Sequence, residues 1–153
     1  MKEQFIFVSR YGGKFYYSDR EMKNLHREDG PAIEFEYGTK AWYINGKLHR
    51  EDGPAVEWSS GNKEWFIDGR HHREDGPAID DASGYKAWYI DGKLHREDGP
   101  AIEYAGGAKQ WFIDDKRLTE KEFNALMNPV TELTLDEIAE KFGVSVDQLK
   151  IKK

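Results

Sequence analysis

The sequence contains no cysteine, only five prolines, and no long apolar run. Without cysteine there can be no disulfide framework and no thiolate-ligated metal. Nothing approaches the roughly 20 consecutive apolar residues that span a bilayer. The opening residues, Met1-Lys2-Glu3-Gln4, show no signal-peptide apolar region, so the expectation is a cytoplasmic protein with no membrane partner. A basic excess is also missing: 23 Lys+Arg stand against 29 Asp+Glu, a formal net charge of −6. Duplex binding needs a basic footprint, so nucleic acid is not an expected partner. What the 153 residues do hold is 14% aromatic side chains together with 34% charged ones. Disordered chains are poor in aromatics, so this combination predicts a folded chain.

The source of that combination is a repeat. The string His-Arg-Glu-Asp-Gly-Pro-Ala begins at His26, His49, His72 and His95, a spacing of 23 each time. Gly38, Gly61, Gly84 and Gly107 keep the register, as do Lys40, Lys63, Lys86 and Lys109, and Trp42, Trp65, Trp88 and Trp111. Four units fill residues 26–117. Residues 1–25 read as a degenerate N-terminal hairpin with its turn at Gly12-Gly13, and residues 118–153 as a C-terminal helical or αβ cap.

Each unit reads as two short strands. Residues 32–37 alternate with period two, Gly38-Thr39 offers a two-residue turn, and Lys40–Ile44 follows. A type II′ turn at Gly38-Thr39 would place Tyr37 opposite Lys40, Phe35 opposite Trp42 and Ile33 opposite Ile44. The same register sets Trp58 against Trp65, Asp81 against Trp88 and Tyr104 against Trp111, which makes one sheet face apolar and lined with tryptophan. Asn45-Gly46, Asp68-Gly69 and Asp91-Gly92 then favour tight turns, and each Gly-Pro marks the start of the next strand. The expected fold is mainly β: a single-layer, twisted antiparallel meander of about ten strands. In the tail, Thr119–Glu122 and Thr134–Glu137 have capping-box spacing, so two short helices are expected, ended at Asn128-Pro129 and at Gly143. A last strand is expected over 149–153.

The unit Trp-Tyr-Ile-Asp-Gly-Lys-Leu-His-Arg-Glu-Asp-Gly-Pro-Ala (residues 88–101) resembles a variant of the MORN repeat and is similar to tandem repeats of bacteriophage and giant-virus proteins. The resemblance covers the four units. It implies a β-hairpin array and a phage or bacterial origin, and it implies no reaction, because repeats are scaffolds on which sites are placed.

Three sets of residues are candidates for function. The tryptophan series, with the departures around it, forms a partner-binding surface: Trp42, Trp58, Trp65, Asp80, Asp81, Trp88, Tyr104 and Trp111. On this reading the chain is a non-catalytic binding protein without cofactor or metal. Its partner would be a host protein or a second copy of itself, and its role a phage accessory or anti-defence inhibitor in the host cytoplasm. An alternative is a sponge for anionic small molecules such as nucleotides, held by His26, Arg27, His49, Arg50, His72, Arg73, His95 and Arg96 in clefts between units. A second alternative is an enzyme centred on the third unit, where Asp80-Asp81 and the neighbouring His71 and His72 break the pattern. The bland reading of His-Arg-Glu-Asp is structural. Asp would hold backbone amides in an Asx turn, and Arg and Glu would form ladders between units.

Overall fold

The computed structural model describes residues 4–129 and 134–149, and the chain divides into two compact units, Met1–Glu120 and Lys121–Lys153. The first unit is built on one long antiparallel sheet of 11 strands. It starts with the hairpin Phe5–Val8 and Lys14–Tyr17. Two-residue strands follow in sequence order: Ile33–Glu34, Lys40–Ala41, Val56–Glu57, Lys63–Glu64, Ile79–Asp80, Lys86–Ala87 and Ile102–Glu103. Lys109–Ile113 and Lys116–Leu118 close it. The meander of hairpins expected from the repeat is therefore the observed architecture, and the degenerate first hairpin joins it as its leading pair.

The register differs from the expectation, for a reason at the turn. Ile33 pairs with Ala41 and Glu34 with Lys40. The Gly38 amide donates to the Phe35 carbonyl at 2.9 Å, and the Phe35 amide to the Thr39 carbonyl at 2.9 Å, so the loop holds three residues instead of two. Gly38 has φ +102°, which puts it at the end of the turn, in the slot that closes a three-residue hairpin loop with a bulge. Gly61 and Gly84 repeat the arrangement. The pairing thus shifts by three positions, an odd number, and an odd shift exchanges the faces of one strand relative to the other. Phe35 does not face Trp42, Trp58 does not face Trp65, and Asp81 does not face Trp88.

The observed register sorts the sheet into two rows of side chains. One face carries Phe7, Phe15, Ile33, Ala41, Val56, Glu64, Ile79, Ala87, Ile102 and Gln110 in unbroken cross-strand succession. The other carries Lys14, Glu34, Lys40, Glu57, Lys63, Asp80, Lys86, Glu103 and Lys109, so base and acid alternate across nine strands. Opposite charges directly across a ladder are favourable by roughly 0.2–1 kcal/mol per pair. This alternation explains the retention of Lys40, Lys63, Lys86 and Lys109. It also gives Asp80 its place: the departure in the third unit keeps the carboxylate the row requires.

The expected strand over 40–44 is broken at Trp42. Beyond it, Tyr43–Ile44 pairs with Lys47–Leu48 in a separate small hairpin, and Phe66–Ile67 with Arg70–His71 and Tyr89–Ile90 with Lys93–Leu94 do the same. Their turns use φ +50° at Asn45, Asp68 and Asp91 followed by glycine, as a type I′ turn requires. The fourth copy uses Asp114-Asp115, with φ +49° and +64°, and keeps its strand continuous. The spine between sheet and links is made of small residues. Ala32, Ala55, Ala78 and Ala101 have no exposed surface, and their carbonyls accept from the amides of Tyr16, Trp42, Trp65 and Trp88 at 2.8 Å.

In the second unit, the helix Leu135–Phe142 has the expected capping box between Thr134 and Glu137 and ends at Gly143 with φ +64°. A preceding helix, Glu120–Met127, begins directly after Thr119. A single 3-10 turn, Val146–Gln148, follows Ser145. The expected last strand over 149–153 falls almost wholly outside the described residues. Among the described residues, no helix is long and apolar enough to cross a membrane.

Candidate functional site

The His-Arg-Glu-Asp quartets form internal structure in all four copies. In each, the arginine Nε donates to the Asp two residues on, at 2.6–2.8 Å. Its Nη1 donates to the proline carbonyl four residues on, at 3.1–3.3 Å. The same guanidinium lies 3.9–4.0 Å from the ring centre of Tyr16, Trp42, Trp65 or Trp88. Such stacking is worth roughly 0.5–2 kcal/mol, depending on desolvation. Asp29, Asp52 and Asp75 accordingly titrate below the usual carboxylate range, because the arginine hydrogen bond favours the charged form. Arg50 and Arg96 also reach Glu57 and Glu103 at 3.0 and 3.2 Å.

One expectation is extended here and one corrected. The Asp binds arginine foremost, and in Asp29, Asp52 and Asp75 a bond from the residue's own backbone amide adds to it. Arginine and glutamate do not ladder between units: the carboxylate partners of each arginine lie within its own unit, whereas the ring partner of Arg50, Arg73 and Arg96 belongs to the unit before. The histidine, by contrast, ties the start of its own unit to that unit's second turn. Nδ1 of His26, His49, His72 and His95 accepts from the backbone amides of Asn45, Asp68, Asp91 and Asp114 at 3.0–3.4 Å. Those are the first positions of the type I′ turns. The eight residues of the anion-sponge reading, His26, Arg27, His49, Arg50, His72, Arg73, His95 and Arg96, are therefore all engaged in the fold.

The tryptophans divide. Trp42, Trp65 and Trp88 are half-buried under arginines, and Trp111 is half-buried in the closing strand, where it pairs with Leu118. Trp58 and Tyr104 instead stand at the turn edge of the sheet and are 46% and 39% exposed. Asp80 lies in the charged row. Asp81 lies at the turn edge, where it accepts from Ser83 and Asn62. Those hydrogen bonds, the Ser83 one foremost, hold its carboxyl below the usual range. Asn62 in turn accepts from the Ala82 amide at 3.1 Å, and Thr39 accepts from the Ser59 amide in the same way one unit earlier.

One constellation was not anticipated from the sequence. The Trp58 indole N–H donates to Glu64 at 3.0 Å, and the other oxygen of Glu64 lies 3.0 Å from Nε2 of His71. The His71 ring packs on Phe66 at 4.0 Å and on Tyr89 of the next unit at 5.2 Å. The His71 hydrogen bond is the largest influence on Glu64 and lowers its pKa, against burial, which raises it. All three residues break the repeat. Glu64 stands where Ala41, Ala87 and Gln110 stand, and His71 where Leu48 and Leu94 stand. Trp58 stands where Phe35, Asp81 and Tyr104 stand. Separations of six and seven residues hide the coincidence in the linear chain. Subtracting one unit from the next and asking which departures share a sheet face would have found it.

The enzyme reading had grouped Asp80, Asp81, His71 and His72. The structure separates them: His72 binds Asp91 of the next turn, Asp80 and Asp81 occupy opposite faces, and only His71 joins the new constellation. Among the described residues, no group of three His, Asp or Glu side chains is arranged to hold a metal ion. Compared with known protein families and with curated proteins, the chain matches no family model and no curated protein.

Proposed function

We propose that the chain is a non-catalytic binding protein whose anchor is Trp58. The observation that carries this reading is that a large, half-exposed indole is held in one orientation by Glu64, itself held by His71. Aromatic side chains dominate the energetics of protein interfaces, and an anchor already ordered before binding loses less entropy on docking. The repeat does not need the three departures to hold its strands together, since the other units do without them. Asp81 and Tyr104 follow the anchor in succession along the same turn edge and supply a charged and an aromatic contact.

The resemblance to viral repeats points to a bacterial host protein as partner and to an accessory or anti-defence role in the host cytoplasm. The test is affinity capture from bacterial lysate with the wild type and Trp58→Ala in parallel. A protein retained by the wild type and lost with Trp58→Ala is the expected result. Glu64→Ala should weaken the same capture by freeing the indole. Identical capture profiles for wild type and Trp58→Ala would overturn the reading. Sedimentation of both proteins separates binding of a partner from self-association, which Trp58→Ala would otherwise disrupt in the same way.

A further inference from the structure

We infer that the grooves between successive links form a second binding surface, for an extended, basic protein segment with a cationic residue at every third position. Two grooves of the same build lie side by side, of about 570 and 670 Å³. The floor of the first is Trp65 and Ile67, and that of the second Trp88 and Ile90. Each has walls from two consecutive links, which bring four carboxylates against two guanidinium groups; in the first groove these carboxylates are Glu51, Asp52, Glu74 and Asp75. In the first groove Asp52 and Asp75 are paired with Arg50 and Arg73, so the charge left over is that of Glu51 and Glu74. An anion meets net repulsion there and a cation complementary charge, above an aliphatic side chain and a tryptophan that already carries Arg73 on one face. The chain's own arginines show this chemistry at work, each lying on an aromatic ring with a carboxylate at its Nε.

Pitch selects the kind of cation. Each unit adds two strands to the sheet, so equivalent grooves recur at about 9.4–9.8 Å. A polyproline II segment advances about 9.3 Å in three residues, one full turn. A Lys or Arg at every third position therefore reaches successive grooves without bending the segment. A β-strand, with same-face side chains every ~6.8 Å, does not keep step. This surface is independent of Trp58: it lies along the links, with no residue of the anchor in its lining.

The probe is a fluorescein-labelled (Arg-Pro-Pro)4 peptide, followed by polarisation against the intact chain. The comparison peptide has the same composition with its four arginines contiguous. The spaced peptide should bind at least several-fold more tightly, with affinity falling as salt rises. The double variant Glu51→Gln/Glu74→Gln removes charge from side chains at least 85% exposed, so it spares the fold, and it should cost about tenfold. Ile67→Lys, which places a cation on the floor, should lower affinity similarly. Trp58→Ala should leave peptide binding unchanged even where it abolishes capture of a lysate protein, so the two proposals fail separately. Equal affinity for the two peptides, or for wild type and the double variant, would overturn the inference, as would absence of binding at low salt.

Discussion

At the scale of single residues, the glycines of the Glu-Asp-Gly-Pro links are constrained by contact and not by backbone angle, most tightly at Gly53 and Gly76. A Cβ on Gly53 would meet the Arg50 guanidinium carbon at 2.9 Å, pushing the cation off Trp42 and its hydrogen bonds. Gly53→Ala should therefore destabilise the chain by about 1–3 kcal/mol, the range for overpacking a filled site. Gly106→Ala is the matched control. Nothing lies within 4 Å of its Cβ and its φ is not positive, so the change should be neutral or stabilise by up to about 1 kcal/mol. Urea titration of the two variants reads the difference. Glu64 gives a second residue-scale test. Its folded pKa is depressed, so its contribution to stability is present above the ordinary glutamate range and is lost as pH falls through the folded value. Glu64→Gln should flatten the acid side of the stability profile relative to wild type, measured as urea midpoint against pH below about 5.

At the scale of elements, the alternating charged row invites a reversal. Lys63 lies directly between Glu57 and Asp80, so Lys63→Glu creates two like-charge oppositions. The expected loss in a urea titration is on the order of 1 kcal/mol, shrinking in high salt, and the second change Glu57→Lys should not recover it, because residue 57 also faces Lys40 and Arg50. This row was not legible in the sequence. The period of two, the turn glycines and the meander were, because they depend on neighbours along the chain. Pairing depended on whether Gly38 opens or closes its turn, and a glycine with positive φ serves either role. An error of three positions at that turn was enough to hide the Lys–Glu succession and to place Trp42, Trp65 and Trp88 on the wrong face. The Trp58–Glu64–His71 constellation was lost for the same reason, since Glu64 was assigned away from the face it shares with Trp58.

At the scale of the whole first unit, the repeat makes length modular. Bonds between neighbours recur at the same offsets: the amides of Gly46, Gly69 and Gly92 donate to the carbonyls of Leu25, Leu48 and His71. Deleting residues 80–102 joins Ile79 to Glu103 and removes one whole period. The shortened array should fold with β circular dichroism, with lower stability and a smaller denaturant slope, since stability in such arrays approximates a sum over units and interfaces. Deleting 81–102, one residue fewer, should fail, because it sets every later strand on the opposite face.

The near-identity of the units also makes trouble for the folding chain, and the contacts across the turn edge bear on it. A unit that skips its neighbour and pairs with the next copy closes a loop twice as long, at an extra cost of only about 0.6 kcal/mol. Chain entropy alone is thus a poor guide to the right neighbour. Asn62 is matched to the third unit: its side chain grips both Asp81 and the Ala82 amide, and in a skipped pairing Tyr104 would stand in place of Asp81. His71 resting on Tyr89 is a second such mark. These irregular positions work as addresses, which tell one copy from another while the array assembles. A chain made perfectly regular at 62, 71 and 81 would keep its average contacts and lose its means of counting.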